Sequence, residues 1–379
     1  MTDKTQEYIR KTIPTLAQDI PRSMAYASPW ADFILYDKTD RYAWTAPLHF
    51  AYSDRRTCSP FDVSRDCPEG QCIVTAITSF AIQASDHTLS PSKREEAVKF
   101  LIHLMADIHQ PMHIGFFEDD GGTKIYIPNM STTLHNVWDE SLYGWFLEGA
   151  NEKSSKVLNY YDVFESILNK MKLSTAPGAQ NKAKFFSKDD LASEEQLQSR
   201  IKEIASETTR EVTCGLAYKH ADGSWIESMD NLDEDYFKSR SKAMFRQFAR
   251  AGRRLAELLD AVAIRYSEGK RAACLAAAQA KKNAPVVIKP TSVNRPANSF
   301  AALFVEDCVE EETAVPAELS EEDVLRVEKK IMFGEKKPVA KKQKSKKSKQ
   351  KNKTLSLKQF DAILDDFKQR NPDLYTVEV

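Results

Sequence analysis

The chain has 379 residues and a formal net charge of −1 at pH 7, so it has no overall field that would attract polyanions. No apolar run approaches the roughly 20 residues that a membrane-spanning helix needs, and we expect no membrane span. The first eighteen residues are polar and charged, which does not fit a secretory signal peptide.

Helical periodicity dominates residues 1–268, which we predict to form one domain of the mainly α class. The clearest helix begins at Ser90-Pro91, and Pro111 is expected to end it. A short strand is predicted at 124–127, and a second long helix is predicted at 236–266.

The composition changes at about residue 269. Residues 269–354 are predicted to be a low-complexity linker, with an acidic block followed by a lysine-rich block at 329–353. The lysines favour sequence-independent phosphate contacts, a nuclear-localisation patch or a solvated spacer, and these alternatives stay open. Residues 355–370 carry one apolar stripe, which predicts either a short amphipathic helix that docks on a protein partner or a loosely helical tail.

The most informative segment lies in the middle of the first domain. It contains two His-x-x-x-Asp pairs, His103/Asp107 and His135/Asp139, and also His113. Residues four apart share a helix face, so each pair can direct an imidazole and a carboxylate to one point. These are ligand types that zinc takes at catalytic sites. The spacing therefore predicts a metal site rather than surface ion pairs.

Two earlier residues, Asp32 and His49, can join this segment, which gives seven candidate ligands: Asp32, His49, His103, Asp107, His113, His135 and Asp139. Seven ligands are too many for one tetrahedral zinc and enough for two or three. Closely spaced metals stabilise the attacking and leaving oxygens of a phosphoryl displacement, and a metal also activates water. The inventory therefore predicts phosphodiester hydrolysis.

Each of these residues also has a simpler interpretation. A lone His49 is more often a core histidine, and a lone Asp32 is more often a helix cap or salt-bridge partner. Phe50 is either a core residue or a platform on which a nucleobase stacks. His87 and His109 are expected at the surface or in positions that support the ligands.

The cysteines do not point to one compartment. Cys67 and Cys72 enclose Pro and Gly, which suits a small disulfide loop, although free structural thiols remain the alternative. A disulfide requires an oxidising compartment, and the absence of a signal peptide argues against one.

The segments PWADFI, LHF, FLIHLMADIHQPMH, DDGGT and LHNVWD, in this order, resemble the zinc-dependent single-strand-specific nucleases and 3′-nucleotidases. That family is related in fold to zinc-dependent phospholipase C. The resemblance covers residues 20–267 and implies a multi-helix domain with few short strands around a three-zinc cluster. It also implies hydrolysis of single-stranded DNA and RNA by metal-activated water, 5′-phosphorylated products and 3′-nucleotidase activity.

Carried over position by position, the resemblance assigns the candidate ligands to separate zinc ions. The first zinc would be held by Asp32, His49, His103 and Asp107, and the second by His113, His135 and Asp139. Asp107 would also contact a third zinc, Asp32 and Asp107 would be the catalytic carboxylates, and Phe50 would stack on the substrate base. The disulfides implied by the family are Cys58–Cys214 and Cys67–Cys72.

Three departures from the family pattern bear on activity. The N-terminal Trp and His that bind the third zinc in the family have no counterpart, so two zinc ions are expected. Leu35 stands where an Arg is frequent, and Thr123 stands where an Asn is usual. One explanation is that the true N-terminus, with a signal for secretion, is missing from this chain. The other is a catalytically weakened intracellular paralogue that binds nucleic acid through its lysine-rich tail.

Two further expectations follow from these sequences. Asn129-Met130-Ser131 is a glycosylation sequon, which matters only if the chain enters the secretory pathway. A lipid phosphodiesterase would use the same metal chemistry, but the sequence has no amphipathic surface for membrane binding.

Overall fold

The computed structural model describes residues 1–14, 24–25, 27–36, 41–53, 57–151 and 184–283. The predicted acidic block, the lysine-rich block at 329–353 and the helix at 355–370 lie outside these residues. The described part of the chain is mainly α-helical, which confirms the predicted fold class. None of its helices combines the length and the apolar character needed to cross a membrane.

Among the described residues, six longer helices form the framework: α1 (Asp3–Thr12), α2 (Ile73–Ser85), α3 (Pro91–Asp107), α4 (Leu142–Asn151), α5 (Glu194–Thr208) and α6 (Glu234–Asn283). Short α-helical turns cover Trp30–Phe33, Val63–Asp66 and Leu134–Asn136. Tighter 3₁₀ turns cover Ile34–Tyr36, Ala43–His49, Pro68–Gly70, Pro128–Met130 and Lys188–Leu191. Wider π-helical turns cover Val137–Ser141 and Thr209–Ala217.

Helix α3 begins where the sequence predicts. The Ser90 side chain accepts a hydrogen bond from the Lys93 amide, and Pro91 occupies the first helical position, where its missing amide hydrogen is not needed. The helix ends at Asp107 rather than at Pro111, and residues 108–114 form turns. The residue before a proline disfavours helical geometry, so the chain leaves the helix before it reaches the ring.

One small hairpin is present in the described part of the chain. Strand β1 (Tyr126–Ile127) pairs antiparallel with β2 (Thr132–Thr133), and Tyr126 lies opposite Thr133. Ser131 between the strands has a φ of +52°, so the connection is a tight left-handed turn. The predicted strand at 124–127 is therefore shorter than expected, because only its second half finds a partner.

Helix α6 is longer than the sequence predicts. It starts at Glu234 and continues past residue 268 to Asn283, so the predicted end of the first domain falls inside a helix. The segment beyond residue 268 is rich in Ala and Lys, which are strong helix formers.

Two apolar cores lie side by side, and α6 contributes to both. The first core is formed by α1, α2, α3 and α5 together with Leu258–Ala263 of α6. The second is formed by residues 112–146, by residues 212–232 and by the first part of α6. In the turns after α3, Ile108 and Ile114 belong to the first core and Met112 belongs to the second, so this part of the chain lies where the two cores meet.

Candidate metal centre

Three segments carry the four metal-type side chains of the first group. Asp32 lies on the short helix Trp30–Phe33, and His49 is the last residue of the 3₁₀ turn Ala43–His49. His103 and Asp107 are one turn apart near the end of α3, so both side chains face the same direction. The structure thus brings together four residues that are up to 75 positions apart in the sequence.

The ligand atoms of this first group are closely spaced. His49 Nδ1 and His103 Nε2 are 3.1 Å apart. Asp107 Oδ2 lies 3.1 Å and 3.0 Å from these nitrogens, and Asp32 Oδ1 lies 3.5 Å and 3.4 Å from them. Each carboxylate therefore forms a triangle with the two nitrogens. In a tetrahedral zinc site with nitrogen ligands at roughly 2.0–2.1 Å from the metal, two ligand atoms are about 3.3 Å apart. The sides of both triangles are close to this distance.

The two imidazoles of this group present different nitrogen atoms. His103 donates its Nδ1 hydrogen to the Ser28 carbonyl at 2.7 Å, which leaves Nε2 as the free electron pair facing the group. His49 faces the group with Nδ1 instead, and its buried Nε2 has no hydrogen-bond partner among the described residues. Nδ1 is therefore the only nitrogen of His49 that can act in the site.

The second group contains His113, His135 and Asp139, and its three ligand atoms all lie within 4.8 Å of one another. Asp139 Oδ2 is 3.2 Å from His135 Nε2, and Asp139 Oδ1 is 3.9 Å from His113 Nε2. Three protein ligands with space for a fourth are typical of catalytic rather than structural zinc sites.

Backbone carbonyls fix both imidazoles of the second group. His113 Nδ1 donates to the His49 carbonyl at 2.9 Å, and His135 Nδ1 donates to the Gly121 carbonyl at 2.7 Å. Gln110 donates from its amide to Asp139 Oδ1 at 2.6 Å. Each ring therefore presents Nε2 as a free electron pair, and the carboxylate is held in place before any ion binds.

The loop containing Gly121 requires glycine at this position. Gly121 has a φ of +59°, and an added Cβ would lie 2.5 Å from the Met112 carbonyl oxygen. The tight turn brings the Gly121 carbonyl to His135. The glycine in the DDGGT segment is thus explained by the structure, because the tight turn that it allows orients the candidate ligand His135.

Opposite charges stabilise each other in the first group. Burial raises the pKa of the Asp107 carboxyl, but His103 and His113 outweigh that effect and hold it well below its usual range. Burial lowers the pKa of His103, but the carboxylates of Asp107 and Asp32 outweigh it and raise the pKa to about 11. The buried Asp107 carboxylate, with the exposed Asp32 carboxylate near the same two rings, therefore requires positive charge beside it, and a divalent cation would supply it without protonating an imidazole.

In the second group, charge pairing outweighs burial in setting the pKa of Asp139 and His135, but not that of His113. Burial raises the pKa of Asp139, but His135 and His113 lower it below its ordinary value. The pKa of His135 is raised because Asp139 outweighs its burial, whereas burial dominates at His113 and lowers its pKa. His113 is therefore held in the neutral form that binds a metal ion.

The donor set fits zinc in both groups, because imidazole nitrogens and carboxylate oxygens with this spacing are its usual ligands. In the described part of the chain, the clusters of three such side chains whose ligand atoms all lie within 4.8 Å of one another are Asp32, His49, His103 and His113, His135, Asp139. Asp107 is assigned to the first group by distance. Its Oδ2 lies 3.0 Å from His103 Nε2 and 3.1 Å from His49 Nδ1, but 3.6 Å from His113 Nδ1.

Phe50 lies beside both groups. Its ring centroid is 4.7 Å from that of His113 and 6.1 Å from that of His135. The ring is only partly buried, so part of it is accessible next to the candidate ligands. An accessible aromatic ring at this place can stack on a nucleobase.

Two disulfides hold the segments around the site. Cys58 is joined to Cys214, which ties the chain after residue 57 to the π-helical turn Thr209–Ala217. Cys67 is joined to Cys72 and closes a small loop just before α2. The structure thus contains both pairs implied by the family resemblance.

Several supporting residues have no clear signal in the sequence. The Ser28 and Gly121 carbonyls orient imidazoles, but any residue type carries a carbonyl. Gln110 is a polar residue in an expected turn, and nothing in its spacing connects it to Asp139. His109, expected at the surface or in support, is buried and accepts a hydrogen bond from Arg254 at 2.9 Å.

Several known proteins are similar in sequence to this chain. The family model "S1/P1 Nuclease" matches residues 1–263. Endonuclease 3 of Arabidopsis thaliana is 31% identical over 265 residues, which cover 67% of this chain and 80% of that protein. Nuclease P1 of Penicillium citrinum is 33% identical over 143 residues, which cover 35% of this chain and 52% of that protein.

Nuclease S1 of Aspergillus oryzae is 27% identical over 257 residues, which cover 65% of this chain and 82% of that protein. The relatives are nucleases, and the resemblance seen in the ordered sequence motifs is confirmed. The chain belongs to the S1/P1 nuclease family.

Proposed function

We propose that this chain is a zinc-dependent nuclease that hydrolyses phosphodiester bonds of single-stranded DNA and RNA, leaves 5′-phosphorylated products and removes 3′-phosphates from nucleotides. The observation that carries the proposal is the meeting of two His/Asp groups at the junction of the two cores. The relatives named nucleases and endonucleases support the reaction class.

Two zinc ions are proposed, one for each group. The first would be held by Asp32, His49, His103 and Asp107. The distances from each carboxylate oxygen to the two ring nitrogens are close to the ligand–ligand distance of a tetrahedral zinc site. The second would be held by His113, His135 and Asp139. When bound, zinc supplies a Lewis acid that acidifies water and offsets the negative charge of the phosphate.

Asp32 is the residue we propose to handle the proton. Its side chain is 54% exposed, whereas the Asp107 side chain is 12% exposed. An exposed carboxylate at the edge of the first group can hold a water molecule by a hydrogen bond and accept its proton as the water attacks. Asp107 stays buried between His49 and His103, where its charge balances the group and fixes the two rings.

Phe50 is proposed to bind the base of the scissile nucleotide. Because its ring adjoins His113 and His135, a base stacked on it would bring its phosphate close to both groups. Stacking does not depend on base identity and requires an unpaired base, which favours single strands over duplexes.

The third zinc of the family remains outside the proposal. The described residues contain no third group of three metal-type side chains, and Asp107 is engaged by the first group. Since Leu35 carries no charge, the phosphate would rely on the metal ions rather than on an arginine at that position.

The disulfides support a location in an oxidising compartment, because such bonds are rarely maintained where glutathione keeps thiols reduced. We therefore propose the secretory pathway or the cell exterior for the active protein.

The test is cleavage of a single-stranded oligonucleotide by the full chain with and without zinc. We expect cleavage that stops on chelation and returns with zinc, and products that can be ligated at their 5′ ends. His49→Ala and His135→Ala should each remove one zinc and lower activity at least 100-fold.

A matched control is available in the same chain. His220 Nε2 lies 3.1 Å from Asp230 Oδ2, so it forms a similar His–Asp pair that belongs to neither group. His220→Ala should leave both zinc content and cleavage unchanged. Protein that retains its zinc and cleaves no single strand would refute the proposed activity and favour a role in binding alone.

A further inference from the structure

Three aromatic side chains form a row that leads away from the metal-type residues. Tyr52 follows Phe50, with ring centroids 5.9 Å apart and ring planes inclined by only 19°. Phe117 comes next, with its centroid 6.4 Å from that of Tyr52 and an inclination of 68°. Phe117 is 65% exposed. We refer to Phe50, Tyr52 and Phe117 as the aromatic row.

Backbone pairing places the last two rings side by side. The Ser53 amide donates to the Gly115 carbonyl at 2.8 Å, and the Phe117 amide donates to the Ser53 carbonyl at 3.3 Å. Successive side chains on such paired segments point to opposite faces. Ser53 and its partner Phe116 are buried, so Tyr52 and Phe117 point outward together.

Tyr52 is fixed in this position. Its hydroxyl donates to Asp120 Oδ1 at 2.9 Å, and its ring packs on Gly121, where an added Cβ would lie 3.1 Å from the ring. A ring held in one orientation loses little conformational entropy when a ligand stacks on it, which favours binding.

We propose that Tyr52 and Phe117 bind the nucleotide base next to the one that Phe50 receives, so that the site prefers a strand of two or more nucleotides to a mononucleotide. The inference rests on the proposed function, because it takes Phe50 as the first base platform. A second platform extends recognition along the strand and gives endonuclease action an advantage over 3′-nucleotidase action.

The charges near Phe117 indicate which part of the strand faces the row. The three residues after Phe117 are acidic: Glu118, Asp119 and Asp120. Carboxylates repel phosphates, so the strand would direct its bases at the row and keep its backbone away from this loop. Stacking is tolerant of sequence because every base has an aromatic face.

The experiment compares the affinities of two probes for the zinc-loaded full chain. One probe is a fluorescein-labelled phosphorothioate octathymidylate, which resists hydrolysis, and its binding is followed by fluorescence anisotropy. The other is 5′-thymidine monophosphate, which has no 3′-phosphate that the chain could remove, and its binding is measured by competition. We expect Phe117→Ala and Tyr52→Ala each to reduce the preference for the octamer about tenfold.

Conservative variants separate stacking from folding. Phe117→Trp and Tyr52→Phe keep an aromatic ring and should retain the preference for the octamer. Phe248 is a partly exposed aromatic residue of α6 outside the row, and Phe248→Ala should leave the preference unchanged.

Two results would overturn the inference. One is an unchanged preference for the octamer in both alanine variants of the row. The other is a change of oligomeric state in Phe117→Ala without loss of octamer affinity, which would assign the row to a contact between copies of the chain. If the wild type cleaves no single strand but its octamer preference depends on the row, the proposed activity fails and the binding inference stands.

Discussion

His109 makes the stability of the fold depend on pH in a predictable direction. The residue is buried in the turn between Asp107 and His113, and its Nδ1 donates to the Met105 carbonyl at 2.7 Å. Its Nε2 accepts a hydrogen bond from Arg254 at 2.9 Å, so the neutral ring is the form that fits. Burial and the Arg254 guanidinium lower the pKa of His109 to about 3.

The direction in which stability changes with pH follows from proton uptake on unfolding. The ordinary histidine pKa is 6.5, so between pH 6.5 and about pH 3 the unfolded chain binds a proton that the folded chain excludes. The contribution of His109 to stability is therefore complete above pH 6.5 and decreases as the pH falls. The slope is about 1.4 kcal/mol per pH unit, which gives about 2 kcal/mol between pH 7 and pH 5.

The measurement is the free energy of unfolding in urea at several pH values for wild type and His109→Gln. The glutamine carbonyl can accept the hydrogen bond from Arg254 but cannot titrate. We expect the variant to be less stable at pH 7 and the difference to shrink by about 2 kcal/mol at pH 5. Both proteins are studied with chelator, so that zinc release does not contribute.

Parallel pH profiles for the two proteins would refute this reasoning, because they would mean that His109 binds no additional proton on unfolding. NMR titration of the His109 ring offers an independent check. Its signals should not shift between pH 8 and pH 5, and a midpoint in that range would contradict the buried, arginine-paired geometry.

Three further predictions concern the site and its supports. Gly121→Ala should destabilise the fold by several kcal/mol in thermal unfolding and weaken the second zinc, because its Cβ collides with backbone at a left-handed φ. Gln110→Ala should weaken the same zinc about 10–100-fold in chelator competition, since Asp139 loses its hydrogen-bond donor. Replacing Cys58 and Cys214 together by Ser should cost up to about 5 kcal/mol in urea unfolding, and reductant should then have less effect than on the wild type.

Local spacing made part of the site predictable. His103 and Asp107 meet because residues four apart share a helix face, and Ser90-Pro91 marks the start of that helix. The arrival of Asp32 and His49 beside them depends on tertiary packing, which periodicity does not report. For those two residues the ordered family motifs supplied the expectation.

Backbone atoms account for much of what the sequence did not predict. The Ser28, His49 and Gly121 carbonyls choose the ring nitrogen that each imidazole presents, and a carbonyl has no residue signature. His109 was expected at the surface or in a position that supports the ligands. It is buried because Arg254, from a helix 145 positions away, pairs with it.

The length of α6 was underestimated for a different reason. The predicted end at residue 266 followed the loss of apolar periodicity. That loss shows where the helix stops packing against the rest of the domain, which is not where the helix itself ends. Residues 269–283 continue the helix although residues 270–280 are mostly exposed, and their Ala and Lys residues have high helix propensity.

The most direct test of the two-group metal centre is the number of zinc ions bound per molecule. Purified chain is dialysed against chelator, titrated with zinc and measured by mass spectrometry of the metal, alongside His103→Ala and His135→Ala. We predict two zinc ions for the wild type and one for each variant. A wild type that binds one ion or none, or variants that retain two, would contradict the account.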